Sequence, residues 1–370
     1  MPSNLAYKQG GLETEASEKD IIVDVKDLSV VYRSSLGNVR ALDNVNIGIG
    51  ENKLVAVVGE SGCGKSTLAL SIIRLLPTPP AEIESGKILL KGIDLLELEE
   101  NEIRKYRGTE IAMIFQEPLS SLNPVYTVGE QVAEAIGVRE SRIQRPLDRV
   151  YSYDKPVVKA SPWRRFSSKL GIRRGYSEYA DEVIETLNLV RIPDSEHVLN
   201  RYPFELSGGM RQRIMIAMAL SERPSLLIAD EPTSAIDVTT QAQVLKLMKN
   251  LMDEVKTSIL LITHDLAVAS QVADELAVMY AGDIVEFGDI YEIFSEPLHF
   301  YTKGLLSCIP SNFKDDQKLQ SIPGTVFDLR TIPTGCKFAP RCPGAKSICH
   351  KKRQVLREVS PSHYVACELT

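Results

Sequence analysis

The chain has 370 residues, of which 44% are hydrophobic and 25% charged, and a formal net charge of −6. That length exceeds one average domain, and the composition excludes a disordered or fibrous chain. The acidic balance gives no general attraction to nucleic acid, and no apolar run approaches the roughly 18 residues needed to span a bilayer.

Residues 1–20 are polar, without periodicity and without the apolar core of a signal peptide, and read as a flexible tail of a cytoplasmic chain. From Ile21 onward, short β-branched runs such as IIVDVKDLSVVY and KLVAVVG alternate with helical text, the pattern of an α/β sheet domain. KLVAVVG runs directly into GESGCGKST, and the helix that follows, TLALSIIRLL, is expected to end at PTPP because proline cannot continue it. A second strand, EIAMIFQ, leads to EPLSSLNPVYTV. Between Arg139 and Arg174 there are eleven Lys or Arg against three acidic residues, together with the single tryptophan, Trp163. This marks a basic insertion at about 138–177, read as a solvated charged loop or as a contact for anionic lipid. Strands resume with SLLIAD, SILLIT and ELAVMY. Past Gly288 the text turns proline-rich, which suggests a smaller appended domain over 291–370.

Gly59 to Ser66 fits the phosphate-binding loop G-x-x-x-x-G-K-[ST] in the required place between strand and helix. Gly59, Gly62 and Gly64 let the backbone curl, with Ser61 and Thr67 alongside, so that N–H groups and a helix N-terminus meet phosphate oxygens. Lys65 then reaches the β- and γ-phosphates of ATP, and Ser66 ligates Mg²⁺. Asp230, at the end of SLLIAD, suits the Mg²⁺ ion through water. Glu231 suits activation of the attacking water. For the two carboxylates alone, plain surface charge is the competing reading. Together these elements describe a P-loop NTPase and nothing narrower.

The narrowing comes from Leu206-Ser207-Gly208-Gly209-Met210. Ser207 in such text is an ordinary helix N-cap. Here LSGGMRQR precedes IADEPTSAID and ITHDL, with Ser207 24 residues before Glu231 and His264 33 after it. In order and spacing these motifs resemble the ATPase subunits of ABC transporters. The resemblance implies a RecA-like α/β core with an antiparallel β subdomain over 21–290 and a helical subdomain at about 117–205. It further implies that Ser207, Gly208 and Gly209 close over ATP held by the phosphate loop of a second ATPase subunit. By the same resemblance Gln116 senses Mg²⁺ and water, His264 contacts the γ-phosphate, and Asp237 lies in the loop that crosses the dimer interface. Ile236 stands there in place of the more usual leucine. Tyr32 occupies the position of an aromatic that stacks on adenine, the competing reading being a tyrosine packed on the core.

FQEPLSSLNPVYTVGEQV, YPFELSGGMRQRIMIAMAL, ITHDLAVASQVADELAVMYAGDIVE and IPGTVFDLRTIPTGCKFAPRCPGA resemble, more closely, the ATPase subunits of di- and oligopeptide importers, whose relatives carry nickel or oligosaccharides. This implies two transmembrane permease subunits, a second and paralogous ATPase subunit, an indirectly coupled extracytoplasmic solute-binding protein, and a place at the cytoplasmic face of the membrane. Pro118 to Tyr126 would then form the groove for a permease helix, with Leu122, Val125 and Tyr126 as its apolar surface or as a buried lid. A soluble ABC ATPase without a permease and a nucleotide-binding regulator are the rivals. Retention of Glu231 and His264 argues against the regulator. Of the six cysteines, Cys63 lies in the phosphate loop and Cys308 stands alone, whereas Cys336, Cys342, Cys349 and Cys367 are spaced C-x5-C-x6-C-x17-C. Structural zinc usually takes tight C-x2-C pairs, while iron–sulfur clusters accept more varied spacing. The resemblance implies a [4Fe–4S] cluster; zinc and four free buried thiols stay open.

Overall fold

The computed structural model describes residues 5–8, 11–14, 21–35, 37–116, 121–144, 179–234, 236–309, 321–331 and 334–370. The chain divides into two compact units. The first contains Met1–Lys105, Ile228–Glu231 and Thr257–Thr370, and the second Tyr106–Leu227 and Pro232–Lys256. The basic insertion lies outside the described residues from 145 onward, as do residues 117–120.

The first unit begins with an antiparallel hairpin, β1 (Leu5–Lys8) with β2 (Gly11–Thr14), so part of the segment read as a tail has paired strands. Next comes a four-stranded antiparallel sheet in the order β4 (Val39–Gly50), β3 (Ile21–Tyr32), β6 (Ala81–Leu90) and β7 (Ile93–Asp94). This is the antiparallel β part that the sequence led us to expect.

The larger sheet is built on buried parallel strands. β5 (Leu54–Val58) pairs in parallel with both β10 (Ser258–Thr263) and β11 (Glu275–Tyr280). The order runs β13 (Arg357–Ser360), β14 (His363–Val365), β12 (Asp283–Asp289), β11, β5, β10 and β9 (Leu226–Asp230). Every residue of β5, β9 and β10 is buried, which is why these strands read as unbroken apolar runs rather than as alternating ones. The chain turns from β11 into β12 (Asp283–Asp289) through Ala281 and Gly282, both at positive φ, as a two-residue hairpin turn requires. After α8 (Leu266–Val272), which lies between β10 and β11, the C-terminal region adds α9 (Ile290–Ser295), α10 (Phe300–Ser307), β13 and β14. Because β14 pairs with β12, this region is part of the same sheet as the phosphate loop's strand.

The helix after the phosphate loop, α1 (Lys65–Ile72), stops short of PTPP. Arg74 takes a left-handed conformation (φ 53°), and the Leu75 N–H reaches back to the Leu70 carbonyl at 2.8 Å. Such a left-handed C-terminal cap ends the helix before any proline is met.

The second unit starts at the last residue of α2 (Glu100–Tyr106) and contains β8 (Ile111–Ile114), α3 (Val128–Gln144), α4 (Ala180–Leu189), α5 (Ser195–Val198), α6 (Gly208–Leu220) and α7 (Val238–Val255). β8 lies beside the start of β9, where the Leu226 N–H donates to the Glu110 carbonyl at 2.9 Å. Among the described residues no helix is long and apolar enough to cross a membrane.

Buried charge fastens the C-terminal region to the core of the first unit. The Lys337 ammonium, only 3% exposed, lies 2.8 Å from Asp283, 3.1 Å from Asp43 and 2.9 Å from the Ala281 carbonyl. Arg353 adds pairs to the same carboxylates, at 2.9 Å to Asp43 and 3.4 Å to Asp283. Burial pushes the Asp283 carboxyl up against the pull of Lys337, whereas Asp43, penalised first by burial, is carried below the usual range by the two cations. Removing one member of such a cluster leaves buried charge without compensation. Lys337→Met is therefore expected to destabilise the chain by about 3 kcal/mol, seen as a lower urea midpoint with an unchanged slope.

Candidate nucleotide-binding site

The site begins where β5 ends. A Cβ at Gly59 would stand 2.1 Å from the Met279 carbonyl oxygen, so the loop lies directly on the end of β11. Gly64, at φ 110°, would drive a Cβ to 2.5 Å from the Ala41 carbonyl oxygen of β4. Neither position accepts a side chain, and both close approaches shape the curl that aims the N–H groups inward. α1 starts at Lys65, placing Ser66 and Thr67 in its first turn, where backbone N–H groups have no partner within the helix. Ser61, Gly62 and Ser66 are exposed.

Lys65 is 6% exposed, and its ammonium donates to the loop carbonyls of Gly59 at 2.8 Å and Glu60 at 3.1 Å. Cys63 is buried beneath it, with Sγ 3.8 Å from Nζ. Burial raises the Cys63 thiol more than Lys65 lowers it, so the thiol is a packing group and not a nucleophile.

β9 delivers the two carboxylates. Asp230 is 7% exposed and hydrogen-bonded by the Ser66 hydroxyl, while its Oδ1 is buried without a hydrogen-bond partner. Burial first, and then the charge of Glu231, push its carboxyl up, against the pull of Ser66 and Lys65. A buried oxygen with an unfilled valence beside a hydroxyl oxygen is the hard-donor chemistry that Mg²⁺ prefers, so the residues present fit that ion. Glu231 sits at φ 45°, an unusual left-handed position for a glutamate, pinned by its N–H to the Ile262 carbonyl at 2.9 Å. Its Oε1 lies 3.0 Å from His264 Nδ1. With Nδ1–H given to the carboxylate, the other ring nitrogen of this 61% exposed histidine is left to accept or to bind.

Tyr32 ends β3 with its hydroxyl 3.4 Å from the Thr67 hydroxyl, which ties it to α1. The first unit thus brings together Tyr32, the phosphate loop, Asp230, Glu231 and His264. Gln116, Ser207, Gly208, Gly209 and Asp237 belong to the second unit. Gln116 is exposed just past β8, its carbonyl 3.4 Å from the Ser234 hydroxyl. Ser207 caps α6 by accepting from the Met210 N–H at 3.3 Å, with Gly208 and Gly209 forming the first turn. Asp237 caps α7 by accepting from the Thr240 N–H at 3.0 Å, a bond that also pulls its carboxyl down. Each cap satisfies a helix donor, so both residues have local work besides any contact with a partner.

Leu122, read with Val125 and Tyr126 as an apolar partner surface or as a buried lid, is buried at 3% exposure, whereas Val125 at 71% and Tyr126 at 51% are outward. Cys336, Cys342, Cys349 and Cys367 are free thiols and do not form a ready ligand set. Among the described residues no group of three or more His, Cys, Asp or Glu is arranged to hold a metal ion. Burial, and then Cys342 and Cys367, push Cys336 up to about 11, and burial followed by Cys367 and Cys349 raises Cys342, so the four lie close enough to act on one another.

The hydrogen bond between Glu231 and His264 escaped sequence reasoning, since nothing in their 33-residue separation announces contact. Tyr301 and Arg341, which also reach the phosphate loop, fit no pattern we recognised.

Comparison with known proteins adds an independent line. The family model "ABC transporter" matches residues 42–234, and "Oligopeptide/dipeptide transporter, C-terminal region" matches 285–349. A Sinorhizobium fredii protein named "Probable peptide ABC transporter ATP-binding protein" is 44% identical over 94% of this chain and 95% of its own length. The oligopeptide transport ATP-binding protein OppD of Bacillus subtilis is 43% identical, covering 93% of this chain and 87% of that one. Among solved structures, a dimeric ATP-binding cassette in a post-hydrolysis state with ADP and Pi aligns with a TM-score of 0.54. It is 26% identical and covers 72% of this chain and 98% of its own.

Asp230 supplies a test of the site. Its raised carboxyl means that the folded chain holds a proton to higher pH than the unfolded chain, so without metal its contribution to stability falls as pH rises through the folded value. At neutral pH Asp230→Asn is expected to raise the melting temperature of the metal-free chain by about 2–4 °C. The same variant should lose the extra thermal stabilisation that Mg²⁺ adds to ATP, both read by differential scanning fluorimetry.

Proposed function

The chain belongs to the ABC transporter family, in its oligopeptide and dipeptide branch, and from that membership we propose that it is the ATP-hydrolysing subunit that energises a peptide importer. The observation that carries the proposal is the pairing of Ser66 with Asp230 and of Glu231 with His264 beside a phosphate loop. A binding-only protein needs the first pair and has no use for the second.

In this reading Lys65 exchanges the carbonyls of Gly59 and Glu60 for the β- and γ-phosphate oxygens of ATP. Ser66 and Asp230 would hold Mg²⁺, and the family resemblance gives Gln116 the sensing of that ion and of water. The ion, when bound, neutralises charge on the phosphates. Glu231 orients and deprotonates the attacking water, while His264 donates Nδ1–H to that carboxylate and, with a proton on Nε2 as well, donates to the γ-phosphate. Tyr32 stacks on the adenine. Ser207, Gly208 and Gly209, at the start of α6, present N–H groups to the nucleotide of a second ATPase subunit, and Asp237 meets the same interface. That partner is a paralogue, and the pair drives two permease subunits fed by a solute-binding protein outside the membrane. Exposed Val125 and Tyr126 suit the permease contact at the cytoplasmic face.

The four C-terminal cysteines are proposed to hold a [4Fe–4S] cluster, zinc being the alternative. Support comes from their mutual electrostatic reach, since four neighbouring thiols become strong ligands once deprotonated.

Glu231→Gln is expected to bind ATP, lose turnover by about 100-fold or more, and accumulate as a nucleotide-bound dimer with its partner subunit on size exclusion. Full turnover in that variant would contradict the assignment. Purification from native membranes should bring two permeases and an unlike ATPase, whereas an ATPase dimer alone would favour a permease-free role. For the thiols, anaerobic purification should yield iron and sulfide in equal amounts. Zinc would select the alternative, and neither metal would leave them free thiols.

A further inference from the structure

Glu60, the residue directly after Gly59 in the phosphate loop, is held by the C-terminal region at both its backbone and its side chain. Its N–H donates to the Tyr301 hydroxyl at 2.9 Å. Its carboxylate receives a two-pronged guanidinium, Arg341 Nη1 to Oε2 at 2.8 Å and Nη2 to Oε1 at 3.0 Å. Its carbonyl accepts Lys65 at 3.1 Å, beside that of Gly59 at 2.8 Å.

Neither gripping residue is a loose surface group. The Arg341 side chain is 5% exposed. Its Nε donates to the Pro323 carbonyl at 3.0 Å and its Nη2 to the Ile322 carbonyl at 3.3 Å, while its guanidinium carbon lies 5.7 Å from the Tyr280 ring centre and 5.9 Å from that of Phe338. Tyr301 is fully buried, its ring 4.7 Å from Tyr280 and 5.3 Å from Phe338. The start of α10 is fixed in turn. His299 Nδ1 accepts from the Tyr301 N–H at 3.1 Å, and Glu286, fully buried on β12, accepts from the N–H groups of Leu298 at 2.7 Å and His299 at 2.9 Å. Glu286 is also 2.8 Å from His363 of β14, so the grip ends in the main sheet.

A carboxylate beside a cradle for triphosphate would repel the ligand unless its charge were cancelled and its direction fixed. Arg341 does both, and Tyr301 holds the backbone whose carbonyl parks Lys65. We infer that Arg341 and Tyr301 are positioning residues of the phosphate loop, through which the C-terminal region sets the affinity of this chain for ATP. The inference rests on the reading of Gly59–Ser66 as the phosphate cradle.

The test uses the full-length chain, with the Kd for Mg·ATP by titration calorimetry and steady-state KM and kcat. Arg341→Gln is expected to raise Kd and KM about tenfold while lowering kcat far less. Adding Glu60→Gln to that variant should recover most of the affinity by deleting the unpaired charge, a rescue that lost packing alone would not give. Arg341→Lys, which keeps the charge and loses the fork, should fall between. If Arg341→Gln does not fold, Tyr301→Phe still tests the idea, with KM raised about threefold and a near-normal unfolding midpoint. A Kd within twofold of the parent for Arg341→Gln, or a double variant no better than the single, would overturn the inference. Lys65→Met separates the two levels. If it abolishes binding while Arg341→Gln leaves Kd unchanged, the brace alone fails. If it binds ATP normally, the reading of the loop falls and the brace with it.

Discussion

Lys65 is an ammonium that must be buried and yet stay available, and much of the first unit serves that requirement. A buried cation without partners would be prohibitively costly. Here two loop carbonyls satisfy it, and they can do so only because the loop curls back over its own helix. That curl depends on Gly59 lying against β11 and Gly64 against β4, where any Cβ would collide with a carbonyl oxygen. The parallel strands β5, β10 and β11 form the frame on which the loop rests. The same sheet brings Asp230 and Glu231 to the end of their strand, so the acid groups and the cation are fixed by one framework. A ligand that offers better oxygens than the loop carbonyls can take the ammonium over without a large rearrangement.

Charge compensation recurs away from the loop. Asp230 keeps an oxygen without a hydrogen-bond partner beside Ser66, the arrangement a hard cation completes. Lys337 and Arg353 cancel Asp43 and Asp283 where the C-terminal region meets the hairpin after β11. In each case a buried charge is tolerable only with its partner present, which makes these contacts more decisive for function and folding than surface pairs of similar length.

The buried strands were legible because parallel strands covered on both faces become unbroken apolar runs, as in LVAVV and SILLIT. The phosphate loop and the cap at Ser207 were legible because few residue types satisfy those geometries, whereas the cap that Asp237 gives α7 went unread. Other features had no such signature. α1 ends at an arginine in a left-handed conformation, where composition would suggest glycine and where the eye goes instead to the prolines beyond. Glu231 adopts a positive φ that the identity of the residue does not signal. β13 and β14 are four and three residues long, too short for alternation to show, so their place at the edge of the main sheet could not be read. Leu122 illustrates a further limit, since an apolar residue in polar text looks the same whether it faces a partner or its own core.

One chain therefore owns a phosphate loop with its acid groups and, at the start of α6, a capped turn whose proposed client is the nucleotide of another subunit. The dilution behaviour of the purified ATPase tests that division most directly. Hydrolysis per chain should fall as the chain and its paralogous partner are diluted together, and should be restored by adding a copy of that partner with its own phosphate-loop lysine changed to methionine, which brings an intact signature turn but no working loop. A rate per chain that is independent of dilution and indifferent to the added copy would contradict it.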